Sequence, residues 1–464
     1  MTILKRKSLV ITALLLVLFA SAYGLQRVRE ERTRKRETPR DHQEIRSLNG
    51  GLPLRLEGPR FAPDQVLVRF KPSLGTQLIE DTLALYGTET IKRIPQLNIY
   101  QVRIPAGISV EEMAYALSRN PDVQSASPNY IVRITVTPND TLFRYQYALN
   151  NTGQDFGAPG SPTGKAKADI RATAGWEETT GDAATIIAVI DTGVDFGHPD
   201  LKNKIVSGGR DFVNDDWDAT DDNGHGTFVA GIAAADTNND EGIAGVAWNC
   251  KILPVKVIAA DGLGYYDDLI AGIIWAADNG AQVINLSLGF LEPLLDEDIK
   301  VMRDTLRYAY EKEVVVVAAA GNYGPGTGIS NPAVQYPAAS DAYCLAVAAT
   351  DYNDTRTSWS CFGPEVDVAA PGDSVLSIVP TWYWGPDYLP YAFGDGTSAS
   401  TPHVAGLAAL LKGLKPWLSV DDIMNVIRYS ADDVNSGEHS GRDDYIGYGR
   451  INMEKALVPI KISK

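Results

Sequence analysis

Cysteine is nearly missing from this chain of 464 residues, which has only Cys250, Cys344 and Cys361. Three thiols are too few for a disulfide framework, and their spacing fits no zinc-ligand pattern, so the fold has to rest on an apolar core. Hydrophobic residues make up 44% of the chain, enough for an enzyme-sized core plus a smaller unit. Cys344 and Cys361 flank two β-like runs, 345–350 and 356–360, around a polar turn at 351–354. A hairpin there would bring them together, which leaves a disulfide and a pair of buried thiols both open. Basic side chains are scarce over most of the length: residues 137–464 hold 22 Lys and Arg against 45 Asp and Glu. Phosphates would be repelled, which excludes a nucleic-acid partner. Long apolar runs are confined to the start, and no internal repeat occurs. Lys5, Arg6 and Lys7 precede an apolar stretch from Leu9 to Ala20 and a small-residue exit at Ala20-Ser21-Ala22, the pattern of a signal peptide over 1–22. Extended to Leu25, the same stretch nears the roughly 17-residue minimum of a membrane span, so an uncleaved anchor is the alternative.

Residues 23–63 carry charge, Pro and Gly without periodicity and read as a linker. At 64–136 the pattern turns to strand (65–70), helix (77–86), strand (99–104), helix (110–119) and strand (123–134), a small α+β module. From 137 to 464 the runs 185–190, 230–235, 251–258, 267–279, 283–286, 298–311, 314–319, 345–349 and 400–411 alternate strand with helix. The stretches Ile186-Ile187-Ala188-Val189-Ile190 and Val314-Val315-Val316-Val317-Ala318 lack polar alternation, as strands covered on both faces do. The fold class expected is α/β, a doubly wound and mostly parallel sheet with sites beyond the carboxyl ends of its strands.

Four residues at such ends can do chemistry. Asp191 is a carboxylate thrust out of an apolar run at Asp191-Thr192-Gly193; alone it reads equally as a turn residue. Histidine is scarce, so a general base can be sought by elimination among five. His42 lies in the linker, His439 in a polar loop and His198 in a turn. His403 follows Ser398 by five positions, about 140° around a helix. His225 remains, at a helix start between Gly224 and Gly226, where a cap or a solvated group is the plainer reading. Ser398 opens an apolar helix after Gly394, Gly396 and Thr397, facing the positive end of its dipole, as an ordinary N-cap also would. Asn322 closes Ala318-Ala319-Ala320-Gly321-Asn322, and its amide could donate to a developing oxyanion.

The combination decides, because the order Asp, His, Ser is that of subtilisin. Asp191-Thr192-Gly193, His225-Gly226-Thr227, Gly321-Asn322 and Gly396-Thr397-Ser398-Ala399 resemble the signatures of the subtilisin-like serine proteases, and Thr137-Pro138-Asn139-Asp140 is similar to the start of the thermitase-like branch. The resemblance implies a secreted serine endopeptidase, a monomer when mature, acting on extended or unfolded polypeptides. In it Asp191, His225 and Ser398 form the triad and Asn322 the oxyanion donor. Gly262-Leu263-Gly264 and Ser287-Leu288-Gly289 resemble the substrate-holding edges, and the module at 64–136 resembles the inhibitory propeptide, cut off between Arg133 and Pro138. It also implies structural calcium, at Asp140, Asp200 and Asn239 and at Asp211, Asp216, Asp218 and Thr220. Phe228 stands where the family usually has a second histidine. A catalytically silent scaffold of the same fold would have lost one of the four site residues. An α/β-hydrolase esterase would need Gly-x-Ser-x-Gly and the order Ser, Asp, His.

Overall fold

The computed structural model describes residues 44–45, 54–55, 61–131, 136–158, 163–290, 294–325, 327, 329–340, 342–383, 389–458 and 461–462. The leader, nearly all of the linker and the expected junction around 133–135 fall outside these residues. The chain divides into two units after Glu44, and both principal sheets belong to the second, Ile45–Lys464.

Residues 61–130 form an antiparallel sheet with two helices on one face. β1 (Phe61–Phe70) pairs with β3 (Ile99–Arg103) and β4 (Val123–Tyr130), and β2 (Glu89–Ile94) lies outside β3. Strand alternation puts Val66, Val68, Phe70, Tyr100 and Val102 on the face that meets Ile79 and Leu83 of α1 (Thr76–Leu85) and Met113 and Leu117 of α2 (Val110–Ser118). α2 starts on a reciprocal cap between Ser109 and Glu112. β2 escapes the sequence pattern because it is an edge strand whose residues are nearly all exposed, so no apolar alternation marks it.

The larger sheet has seven parallel strands in the order β11-β10-β9-β8-β5-β7-β6. These are β5 (Ile186–Asp191), β6 (Arg210–Asp211), β7 (Lys251–Lys256), β8 (Val283–Leu286), β9 (Val315–Ala319), β10 (Leu345–Thr350) and β11 (Val368–Pro371). Alternate side chains of one strand enter two cores. Ile187, Val189, Val315 and Val317 meet α3 (His225–Ala234) and α6 (Thr397–Leu414), whereas Ala188, Ile190, Val316 and Ala318 meet α4 (Tyr266–Asp278) and α5 (Asp296–Glu311). Burial on both faces explains the unbroken apolar runs. The chain enters at β5, runs out to the edge strand β6, returns as β7 between the two, and then adds β8 to β11 on the other side. The direction of winding therefore reverses around β5, where such sheets place their sites.

The run 230–235 falls in α3, which begins at His225, where a helix start is expected. Of the two alternatives open for the thiols, the structure has the free ones, and the cysteines form no disulfide. Cys344 precedes the first residue of β10, but 356–360 does not return along that strand. After one bridge from Thr350 to Arg356 it crosses to the far end of β9, where the Cys361 N–H donates to Gly321 O. Five strand residues at about 3.3 Å each set the two thiols some 15 Å apart along the sheet. Burial pushes the Cys250 and Cys361 thiols up to about 11, so neither offers a thiolate near neutrality.

Candidate active site

Asp191 is the last residue of β5 and is fully buried. Its Oδ1 accepts from the Thr192 N–H at 2.7 Å and lies 2.8 Å from His225 Nδ1. That contact makes Nδ1 the donor and leaves Nε2 as the basic nitrogen of a ring that is about a third exposed, 37%. Desolvation disfavours charge on the imidazole, but the charge and hydrogen bond of Asp191, helped by the charge of Asp221, outweigh it and raise the His225 pKa above its usual value. The glycine after His225 has a definite cause. A Cβ on Gly226 would stand 2.1 Å from Gly193 O and 3.2 Å from Asp191 Cβ, so only a bare backbone lets the helix start reach the strand end.

Behind this pair lies a support that the sequence motifs do not reveal. Asp221, 1% exposed, accepts from Thr192 Oγ1 at 2.8 Å, the N–H groups of Asn223 and Gly224, and both N–H and Oγ1 of Thr227. Thr192 Oγ1 in turn accepts from the Gly226 N–H at 2.8 Å. Lys256, 1% exposed at the end of β7, donates to Thr192 O at 2.9 Å, Ile258 O at 2.8 Å and Asp222 Oδ1 at 2.6 Å. One signal of it is present in the sequence: Lys256 is a charge inside an apolar strand, as Asp191 is, and such a charge requires partners.

Ser398 is the second residue of α6. Its carbonyl accepts from Ser287 Oγ at 2.9 Å, and that hydroxyl accepts from Asn285 Nδ2 at 3.0 Å. Asn322 Oδ1 accepts from both N–H and Oγ1 of Thr397, at 2.9 and 3.1 Å, so the amide is oriented and Nδ2 is turned away from Thr397. A Cβ placed on Gly396 would lie 2.8 Å from Ser398 Oγ and 3.6 Å from Asn322 Nδ2, so hydroxyl and amide look into one space. Among the described residues no hydrogen bond joins His225 to Ser398; such catalytic bonds are commonly long without substrate and tighten on binding. His403 is buried at 1% exposure, contacts Ala399 O through Nδ1 and is pulled down to about 4 by desolvation, so it stays neutral and faces its own helix.

The two expected substrate edges border one cavity of about 360 Å³, lined by Leu263, Tyr266, Leu269, Leu288 and Phe290. Gly264 has a backbone reason as well, since a Cβ there would meet Val257 O at 2.4 Å. Phe228 packs with Ile232, Val375 and Ala399, and its ring occupies the space a side chain on Gly394 would need, 2.7 Å from Cζ.

Of the first expected calcium set, Asp140 and Asp200 both contact Asn239, which donates from Nδ2 to Asp200 Oδ1 at 3.1 Å while its own Oδ1 accepts from the Glu241 N–H at 2.9 Å. Asp140 and Asp200 are 5% and 0% exposed, and among the described residues neither pairs with Lys or Arg. Asp140 accepts from the Asn238 N–H, and Asp200 from Asn239 Nδ2, the Ile243 N–H and Tyr391 Oη. Desolvation raises both carboxyl groups, Asp200 to about 6, and each hydrogen-bond set only partly opposes it. Such a pair has an unmet demand for positive charge. The second set is arranged differently: Asp211 is capped by Asn214, Asp216 Oδ1 accepts from the Asp218 N–H, and Asp218 Oδ1 accepts from Thr220. Among the described residues no three His, Cys, Asp or Glu side chains are grouped to hold a metal, so a cation at the first set would also draw on amide and carbonyl oxygens.

The subtilase family model matches residues 182–449, and the fervidolysin N-terminal prodomain model matches 54–129. The chain is 38% identical over 398 residues to a thermophilic serine proteinase of a Bacillus species, covering 86% of this chain and 88% of that one. It is 43% identical over 288 residues to thermitase of Thermoactinomyces vulgaris, covering 62% and 93%. Among solved structures, a protease of Pseudoalteromonas arctica aligns with a TM-score of 0.56 at 30% identity, over 69% of this chain and 99% of the other. Sequence match and parallel-sheet architecture agree, and the chain belongs to the subtilase family as a subtilisin-like serine peptidase preceded by a prodomain.

Proposed function

We propose that Ser398 is the nucleophile of an endopeptidase that cleaves extended polypeptides. His225 Nε2 accepts the Ser398 proton as Oγ attacks the peptide carbonyl, then delivers it to the leaving amine, and water later releases the acyl group by the same route in reverse. Asp191 holds the imidazole with its proton on Nδ1 and stabilises the charged ring. Asn322 Nδ2 and the Ser398 N–H receive the oxyanion. The observation that carries this reading is the common space faced by Ser398 Oγ and Asn322 Nδ2, beside a helix start locked to Asp191. A substrate strand lies between 262–264 and 287–289, with backbone pairing for affinity and the cavity of Tyr266 and Phe290 for a large apolar side chain.

The precursor is secreted by the leader at 1–22 and held inactive by 64–136 until the chain is cut between Arg133 and Pro138. Asp140, Asp200 and Asn239 would hold calcium, which would supply charge compensation to the buried carboxylates. Fluorophosphonate labelling checks the nucleophile. Wild type should be modified at Ser398 and lose peptide hydrolysis, while Ser398→Ala should take no label and persist as the full-length precursor. A labelled Ser398→Ala chain, or one that matures alone, rejects the assignment.

A further inference from the structure

Two adjacent residues before His225 face different surroundings. Asn223 donates from Nδ2 to Ala260 O at 3.0 Å, and that nitrogen is the atom nearest a Cβ built on Gly262, so Asn223 borders the edge at 262–264. Gly224, with φ +115°, faces the turn at 380–383. A Cβ there would meet Tyr383 Cε2 at 3.1 Å and Pro380 Cδ at 3.4 Å. The 380–383 turn therefore packs beside His225 on the side of Gly224, whereas Asn223 faces the 262–264 edge. It is fastened there: Asp195, 8% exposed, accepts from the N–H and Oγ1 of Thr381 at 2.8 and 2.9 Å, and its own N–H donates to Thr227 Oγ1 at 2.9 Å. The Tyr383 N–H closes the turn on Pro380 O at 2.9 Å. On this anchored turn two large rings stand in solvent, Trp382 at 51% and Tyr383 at 46% exposure, with centroids 5.8 Å apart. Phe196, next in sequence to the anchoring Asp195, is exposed at 36%. Large rings anchored against the residue before His225 and about half exposed offer an apolar surface beside the catalytic base.

We infer that Trp382 and Tyr383 form a wall for the first two substrate residues after the cleaved bond, and that it selects aromatic and large aliphatic side chains there. The inference rests on the peptidase reading of Ser398 and His225, since it takes its direction from the bond they cut. The occupant is the leaving half of the polypeptide: an extended chain passing from the 262–264 edge across His225 runs next over Gly224 and its neighbours. Ring-to-ring packing of this kind is worth roughly 3- to 10-fold in preference.

The test uses enzyme matured from the full chain and quenched peptides of one fixed acyl half, with Phe, Leu, Ala or Asp at each of the two positions after the bond. Each kcat/KM is divided by that of a p-nitroanilide with the same acyl half, measured on the same variant, because that substrate has no residue to place on the wall. Wild type should favour Phe and Leu over Ala and Asp by roughly 3- to 10-fold. Trp382→Ala with Tyr383→Ala should bring the series within about 2-fold, and Trp382→Phe with Tyr383→Phe should keep the preference. A flat wild-type series, or a preference that survives the double alanine change, overturns the wall while leaving the peptidase intact. Failure of wild type on every substrate, the p-nitroanilide included, overturns both.

Discussion

Asn322 is oriented by the engagement of its carbonyl oxygen with Thr397, which leaves Nδ2 as the end that can meet an oxyanion. Asn322→Ala should lower kcat by about 10²–10³ with KM little changed; the scale is the one known for the matching donor in subtilisin, the type case of this family. Steady-state kinetics check it, and a raised KM at constant kcat contradicts it. His225 sets the pH behaviour. Its raised pKa means that the neutral, working base predominates only above that value, so kcat/KM should climb with pH through a midpoint above about 6.5. The contribution of the ring to stability runs the other way: present below about pH 6.5 and lost as pH rises through the folded value. Asp191→Asn removes the cause, and a pH–rate profile should show the acid limb moved down and kcat reduced by about 10⁴. At this scale Asp191 and Asn322 stand out at the ends of apolar runs, whereas His225 and Ser398 open helices and are singled out only by the order Asp, His, Ser. Asp221 and Ser287 were not read as supports, since their partners Thr192, Thr227 and Ser398 are distant in sequence and only the fold brings them near.

Elements meet at glycines in this molecule, and Gly226 is the tightest such junction around the active site. A methyl there collides with backbone oxygen at Gly193, which cannot rotate out of the way, so α3 must move off β5. Gly226→Ala should keep the domain folded by circular dichroism while reducing kcat/KM by about 10² or more, because a displacement of about 1 Å at the reacting groups is that costly. Unchanged activity would mean that helix and strand have slack. Strands β5 and β7 to β10 were readable from apolar runs without alternation, and α3 to α6 from their 3.6 periodicity, to within about three residues at most ends, whereas the short β6 and β11 were not. What failed were elements whose identity lies outside themselves. β2 is an exposed edge defined by pairing with β3, and 356–360 is drawn across so that Ser360 bridges to Asn322 rather than back along β10.

Charge is the concern of the molecule as a whole. Residues 137–464 carry 23 more acids than bases, and two of those acids, Asp140 and Asp200, are buried without a Lys or Arg partner among the described residues. Folding must hold them there against desolvation, and calcium at the proposed site would offset that cost. At a free concentration of about 100 times Kd, one such ion adds about 2.7 kcal/mol, which corresponds to roughly 4 °C in Tm for a domain of about 330 residues. Chelation should lower Tm by that much in scanning calorimetry. Asp200→Asn separates the ion from the residue. The amide drops the charge and keeps one oxygen to accept from the Ile243 N–H and Tyr391 Oη, but turns its NH2 toward the Asn239 Nδ2, so the readout is the difference between calcium and chelator and not Tm itself. The variant's gap between calcium and chelator should shrink below half. Equal Tm with and without chelator in the wild type would show that these carboxylates are stabilised by protein groups alone, and the raised Asp200 pKa would then measure a cost the fold bears unaided.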